Sequence, residues 1–344
     1  MQQNACETKE PKHLLVRACL GLPVERTPVW AMRQAGRWDP EFRRLRGSRS
    51  FYEFASDPEA AAAVSLLPRR FGVDAIILFY DITTLPRALG WPFTFRSGEG
   101  PVSLRVPRRP GDLDLFCVPV DERVVAGVLE TLSRVLEALS GELPVIAFAG
   151  APFTVATYCI GTGKDVERTR RFVAEAGVVW ERLLDLLTER TVEFLRLMRA
   201  HGADVVQVFD SWAGQLTEQE YACWAQPYHR RIFAAAPRPS ILYVRECPYV
   251  EQMVGSGADV VSLGTRHDLA ACRTSYPERV FQGNVDARLM VQGSPDQVRE
   301  ATIRCLAAGG GYRHVLNLSE GMPKEARPEN FAAFVEAARS WRPN

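Results

Sequence analysis

The chain has 344 residues, 47% of them hydrophobic and 24% charged, with a formal net charge of +1 at pH 7. That balance is typical of a globular enzyme with a large core, and without a basic excess it argues against a nucleic-acid or membrane-surface partner. No run approaches the roughly 18 apolar residues of a membrane span, and residues 1–13 read as a polar N-terminal arm lacking the apolar centre of a secretion signal.

The first candidate strand is Pro28–Trp30, inside the apolar run Pro28-Val29-Trp30-Ala31-Met32. Directly after it comes Arg33-Gln34-Ala35-Gly36-Arg37, two guanidiniums four residues apart around a glycine. Guanidinium forks bind carboxylates bidentately and keep their charge at any working pH. Only four of the 42 basic residues are lysine, so an arginine here counts for its context and not its identity. At the end of a core strand, this pair predicts a pocket for an anionic, multi-carboxylate small molecule.

Seven further candidate strands follow: Asp74–Phe79, Pro144–Ala149, Asp204–Phe209, Ser240–Val244, Asp259–Leu263, Val280–Gln282 and His314–Leu318. Between them lie amphipathic stretches at 57–71, 125–139, 166–201, 217–236, 295–308 and 328–339. Strand–helix alternation implies a parallel sheet. Apolar runs without alternation suit strands covered on both faces, and a count of eight predicts a single (β/α)8 TIM barrel. The segment 91–119 interrupts the pattern with Gly, Pro and alternating residues, which predicts a hairpin-like excursion after the second strand. No linker divides the chain, so one α/β domain over 14–342 is expected.

In such barrels the site forms at the C-terminal ends of the strands. The residues just past each candidate strand are Arg33 and Arg37, then Asp81, then the segment from Gly150 to Tyr158, then Asp210-Ser211-Trp212. Arg245-Glu246-Cys247, Asn284 with Asp286, and Asn317-Leu318-Ser319-Glu320-Gly321 complete the rim. Asp81 has two readings: a cap for the next helix, or a lone anion in a pocket walled by Phe79, Tyr80 and Ile82 that accepts several N–H bonds from a ligand. Tyr158 is either a core tyrosine with a satisfied hydroxyl or part of that pocket.

Other motifs fail. Gly161-Thr162-Gly163-Lys164 lacks the Ser or Thr of a phosphate loop, since Asp165 follows, and there is no GxGxxG or HExxH. Eight scattered cysteines without a CxxC pair predict free thiols and a cytoplasmic setting. The five histidines fall mostly in predicted helices or their flanks, so no metal site is expected.

From about Leu14 to Trp341 the chain resembles the uroporphyrinogen decarboxylases. The resemblance is strongest over Pro28–Arg37 and from Ala149-Gly-Ala-Pro-Phe-Thr154 through Tyr158. Phe79-Tyr-Asp-Ile82, Phe209-Asp-Ser-Trp-Ala-Gly214 and Gln282-Gly-Asn-Val-Asp286 match less completely. It implies a homodimeric barrel that removes CO2 from the four acetate arms of uroporphyrinogen III, giving coproporphyrinogen III, without metal or organic cofactor. By the same resemblance Arg33, Arg37, Asp81 and Tyr158 are the catalytic candidates. Gln34, Ala35, Gly36, Ser211 and Glu320 join them as substrate-binding residues.

The chain departs from the family pattern late. Ser319-Glu320 replaces Gly-His in the family's Asn-Leu-Gly-His-Gly, and Ser262-Leu263-Gly264-Thr265 replaces Gly-Leu-Asp-Trp. A carboxylate at 320 is adverse to a poly-anionic substrate unless it is neutralised. Either Arg245 or Arg313 pairs with it, or burial raises its pKa and makes it an acid. The departures leave two alternatives: a divergent paralogue that binds or acts on another tetrapyrrole, or a methyltransferase-like relative. The latter's zinc ligands are broken here, since Arg245-Glu246-Cys247 stands in place of His-x-Cys.

Overall fold

The computed structural model describes residues 11–96 and 99–342. Most of the arm expected at 1–13 therefore lies outside the described residues. The strands are β1 (Ile76–Ile77), β2 (Phe93–Arg96), β3 (Gly100–Ser103), β4 (Val145–Gly150), β5 (Val205–Asp210), β6 (Ser240–Val244), β7 (Val260–Ser262), β8 (Val280–Gln282) and β9 (His314–Val315). Seven of them form one parallel sheet in the order β1-β4-β5-β6-β7-β8-β9. β2 and β3 pair antiparallel in a separate two-stranded sheet; residues 97–98 between them lie outside the described residues.

The eighth expected strand, Pro28–Trp30, is a single bridge, Val29 to Leu316, and not a full strand. The reason is local. The Val29 N–H is taken by Asp74, the Ala31 N–H by Gln34 and the Met32 N–H by Asn317, so side chains replace the ladder. The segment still stands between the two edge strands of the sheet. Trp30 N–H donates to Leu316 C=O, and Asp74 N–H donates to Val29 C=O.

The same device explains why several strands begin later than their apolar runs suggest. Asp74, Asp204 and Asp259 precede β1, β5 and β7, and each carboxylate accepts a backbone N–H from the start of a neighbouring segment: Val29, Val145 and Ser240 at 2.8, 2.9 and 2.9 Å. An aspartate at this edge stitches one strand to the next instead of extending its own. Asp74 is further held by a bidentate ion pair with Arg26 at 2.6 and 2.7 Å.

Helices cover the sheet. Ser294 caps helix Pro295–Gly309 reciprocally with Gln297, and Asp57 caps Pro58–Leu66, each with proline at the first turn. The expected helix 166–201 is Val166–Ala200, interrupted at Ala176, where φ is −139°. The stretch 217–236 divides into Glu218–Trp224 and Gln226–Ala235. Inside the sheet a polar layer is buried: Trp30 Nε1 donates to Gln282, whose amide donates to Ser262 and Gln207. No described helix is long and apolar enough to cross a membrane.

Candidate active site

The loop after Pro28–Trp30 is fixed by the glutamine between its arginines. Gln34 is fully buried; its Oε1 accepts from Ala31 N–H at 3.1 Å and its Nε2 donates to Ala75 C=O at 2.9 Å. The Gln34 side chain is thus committed to backbone and holds the shape of the loop between the two arginines. Ala35 is buried and Gly36 half-buried, while Arg33 and Arg37 are exposed and form no ion pair among the described residues. Arg33 sits at φ +58°, a left-handed conformation that costs a non-glycine residue about 1–3 kcal/mol. Its stem crosses Gly321: a β-carbon there would lie 2.6 Å from Arg33 Cδ.

The two carboxylate oxygens of Asp81 stand in different surroundings. Oδ1 accepts the Thr83 N–H at 2.5 Å and the Thr83 hydroxyl at 2.6 Å, which fixes the turn into helix Thr84–Ala88. Oδ2 is occluded and has no hydrogen-bond partner among the described residues. Burial raises the Asp81 pKa, against the Thr83 hydrogen bonds and the Arg87 charge, which lower it. The expected walls are only partly right. Phe79 packs with Phe42, Phe51 and Phe54, and Tyr80 stacks on Phe148 with its hydroxyl on Phe148 C=O. Ile82 instead crosses Gly150, whose missing β-carbon would lie 2.8 Å from Ile82 Cβ.

That close approach carries the Asp81 turn over the end of β4, where helix Pro152–Cys159 brings Tyr158. Tyr158 is half-buried, and its pKa is raised first by burial, with the charges of Arg33, Asp81 and Arg245 also acting on it. Arg33, Asp81 and Arg245, which follow Pro28–Trp30, β1 and β6, thus all lie near Tyr158. Tyr158 also faces Trp212, at 6.4 Å between ring centroids.

A further part of the rim, which includes Arg245, is charged and concave. Ser211, Gly214, Gln215, Arg245, Glu246 and Arg266 line a cavity of about 180 Å³. Glu246 and Arg266 continue into a second of about 420 Å³ with Thr265, Asp286, Arg288, Ser319 and Glu320. Arg33, Arg37, Asp81 and Tyr158 line neither. Glu320 pairs with Arg245 at 2.7 Å, which settles its neutralisation; Arg313 pairs with Glu278 at 2.7 Å instead.

The altered loop after β7 has a partner the sequence reading missed. Glu246, at φ +45°, turns its carboxylate onto Gly264, where a β-carbon would lie 2.8 Å from Oε1. Thr265 holds it through its N–H at 3.0 Å and its hydroxyl at 3.1 Å. A carboxylate from just past the end of β6 thus fills the space beside Gly264.

A buried network below the rim was missed too. Asp210 and His229 are fully buried and 2.9 Å apart; Thr154 donates its hydroxyl to Asp210 at 2.5 Å and accepts the Trp212 N–H at 3.0 Å. The only sequence signal was the isolated Asp210 at a strand end. The seven cysteines among the described residues are free. Burial pushes the Cys247 thiol up to about 12, so it stays protonated at neutral pH and is a poor metal ligand. No group of three or more His, Cys, Asp or Glu among the described residues is placed to hold a metal ion.

The family model described as uroporphyrinogen decarboxylase matches residues 10–341. A uroporphyrinogen decarboxylase of Alkalilimnicola ehrlichii is 37% identical over 96% of this chain and 94% of its own. That of Vibrio cholerae is 35% identical over 96% of this chain and 97% of its own. Among solved structures, a methyltransferase from Methanosarcina mazei superposes with a TM-score of 0.80 at 22% identity, covering 94% of this chain and 97% of that one. A B12-independent methionine synthase from Shewanella gives 0.55 at 12% identity, over 91% and 95%. Both likenesses concern the fold alone.

Proposed function

The chain belongs to the uroporphyrinogen decarboxylase family, and from that premise we propose that it removes CO2 from the four acetate arms of uroporphyrinogen III to give coproporphyrinogen III. What supports the reading is that exposed guanidiniums on Arg33 and Arg37, without an ion pair among the described residues, and an Asp81 Oδ2 without a hydrogen-bond partner among them, follow adjacent segments of the sheet. The guanidiniums suit the substrate's carboxylates, and Oδ2, once the turn around it shifts to uncover it, suits the pyrrole N–H groups.

Each turnover replaces a carboxylate by a proton. Protonation of a pyrrole ring carbon makes that ring cationic. The carbon–carboxylate bond then breaks, its electron pair neutralises the ring, and CO2 leaves. The exocyclic carbon takes up a proton to become a methyl group as the ring carbon gives up its own. Asp81 stabilises the cationic ring by fixed negative charge, an oxyanion hole with the sign reversed. Arg33 and Arg37 clamp the carboxylate arms that are not reacting. A bare guanidinium is a poor acid, so the proton reaches the ring through water. Tyr158 and Ser211 supply hydrogen bonds to substrate.

The sheet, with Pro28–Trp30 bridging toward both of its edges, is read as a closed (β/α)8 barrel in one domain. The chain works as a cytoplasmic homodimer. Incubation of pure protein with enzymatically made uroporphyrinogen III, with products counted by mass, tests the activity. Loss of four CO2 per molecule is expected; unchanged octacarboxylate overturns the reading.

A further inference from the structure

Resting on that reading, we propose that Arg245 is a substrate-binding residue of this chain, paired with Glu320 as a stand-in for a substrate carboxylate. A carboxylate arm of the porphyrinogen displaces Glu320 and takes the guanidinium.

The position of the pair supports this. Arg245 lines the smaller cavity beside Ser211, and Glu320 lines the larger one beside Ser319 and Asp286. Their 2.7 Å contact therefore stands between two spaces of about 180 and 420 Å³. The smaller falls short of the roughly 300–1,000 Å³ of a ligand pocket and the larger sits low in that range, so parting the pair gives a tetrapyrrole more room. The charges of Glu320, Arg245 and Arg33 all act on the buried Tyr243 hydroxyl. Arg33 lies across Gly321, the residue after Glu320, so a second arginine reaches the same loop.

The exchange is cheap. The side chains are 44% and 31% exposed, and an ion pair so wetted contributes little net stability. One carboxylate replaces another on the same fork, so no guanidinium is left unpaired. Arg288, paired with Asp286 at 2.7 Å, lines the larger cavity with Glu320 and keeps a cation near the displaced carboxylate.

The test is a titration with uroporphyrin, the oxidised and unreactive octacarboxylate, on wild type, Glu320→Gln, Arg245→Met and the double variant, with thermal melts confirming that each is folded. Glu320→Gln is expected to tighten binding about threefold or more, and Arg245→Met to weaken it about tenfold. In the double variant the gain from Glu320→Gln is expected to disappear. Three results overturn the proposal: weaker binding by Glu320→Gln, unchanged binding by Arg245→Met, or the same gain with and without Arg245. Wild-type CO2 release is scored separately. Its absence removes the decarboxylase reading, whereas uncoupled variants in an active enzyme remove only this one.

Discussion

The carboxylate of Glu246 occupies the space that a β-carbon on Gly264 needs, with Oε1 2.8 Å from that position. The space left open by this glycine is thereby filled by a carboxylate from the neighbouring strand end. Gly264→Asp should place two carboxylates in one space and destabilise the protein by about 1–3 kcal/mol. Glu246→Gly, which also suits the left-handed backbone at 246, should restore most of that loss in the double variant. Urea melts of the three variants check this, and a fully stable Gly264→Asp protein contradicts it.

Asp81→Asn keeps an oxygen for Thr83 and removes only the charge. Activity should fall about 100-fold or more, while the melting temperature at neutral pH should hold or rise. A carboxyl raised by burial favours the folded state when protonated. That contribution is present below its ordinary pKa and lost as pH rises through the folded value, leaving an ionised group that is costly at neutral pH. The acid limb of the wild-type kcat/KM profile should lie above the ordinary carboxylate range and be missing from the residual activity of the variant.

Gly321→Ala should act on Arg33 and not on the fold. The added β-carbon meets the stem of an exposed, flexible side chain, which can swing away. The expected result is a KM raised about tenfold by loss of one clamp, with an unchanged melt. Steady-state kinetics beside calorimetry separate the two; an unchanged KM removes Arg33 from the carboxylate-binding set.

His314 gives the fold an acid-sensitive point. Burial lowers its pKa to about 4, and Nε2 lies 2.6 Å from Gly283 C=O, while Nδ1 has no partner among the described residues. The neutral ring therefore carries its proton on Nε2. A depressed histidine contributes stability that is whole above its ordinary pKa near 6.5 and is lost as pH falls toward about 4. The full loss is about 3 kcal/mol. Urea melts from pH 7 to pH 4 should show that decline, and His314→Gln should flatten it; identical slopes reject the assignment.

Much of this architecture was legible in the chain. Strands covered on both faces leave short apolar runs, and the helices between them carry caps such as Ser294 with Gln297, so order and direction followed from local chemistry. The arginine pair around Gly36 and the aspartate after β1 were legible because a strand end in this architecture is a rim position. Strand starts were misread where Asp74, Asp204 and Asp259 spend their carboxylates on a neighbour's N–H, a choice no window along the chain contains.

Pairing was decided only in three dimensions. Glu320 had two candidate arginines; β6 and β9 bring Arg245 to it, while Arg313 turns away to Glu278. Gln34 reads as a site residue from its neighbours, yet its amide is used up inside the fold, and His229 reads as an ordinary helix residue until Asp210 is placed beside it. Local propensity is written in residues a few positions apart. Which charges meet at the rim depends on sheet register and on how the two edges approach each other, and those bring together residues dozens to hundreds of positions apart.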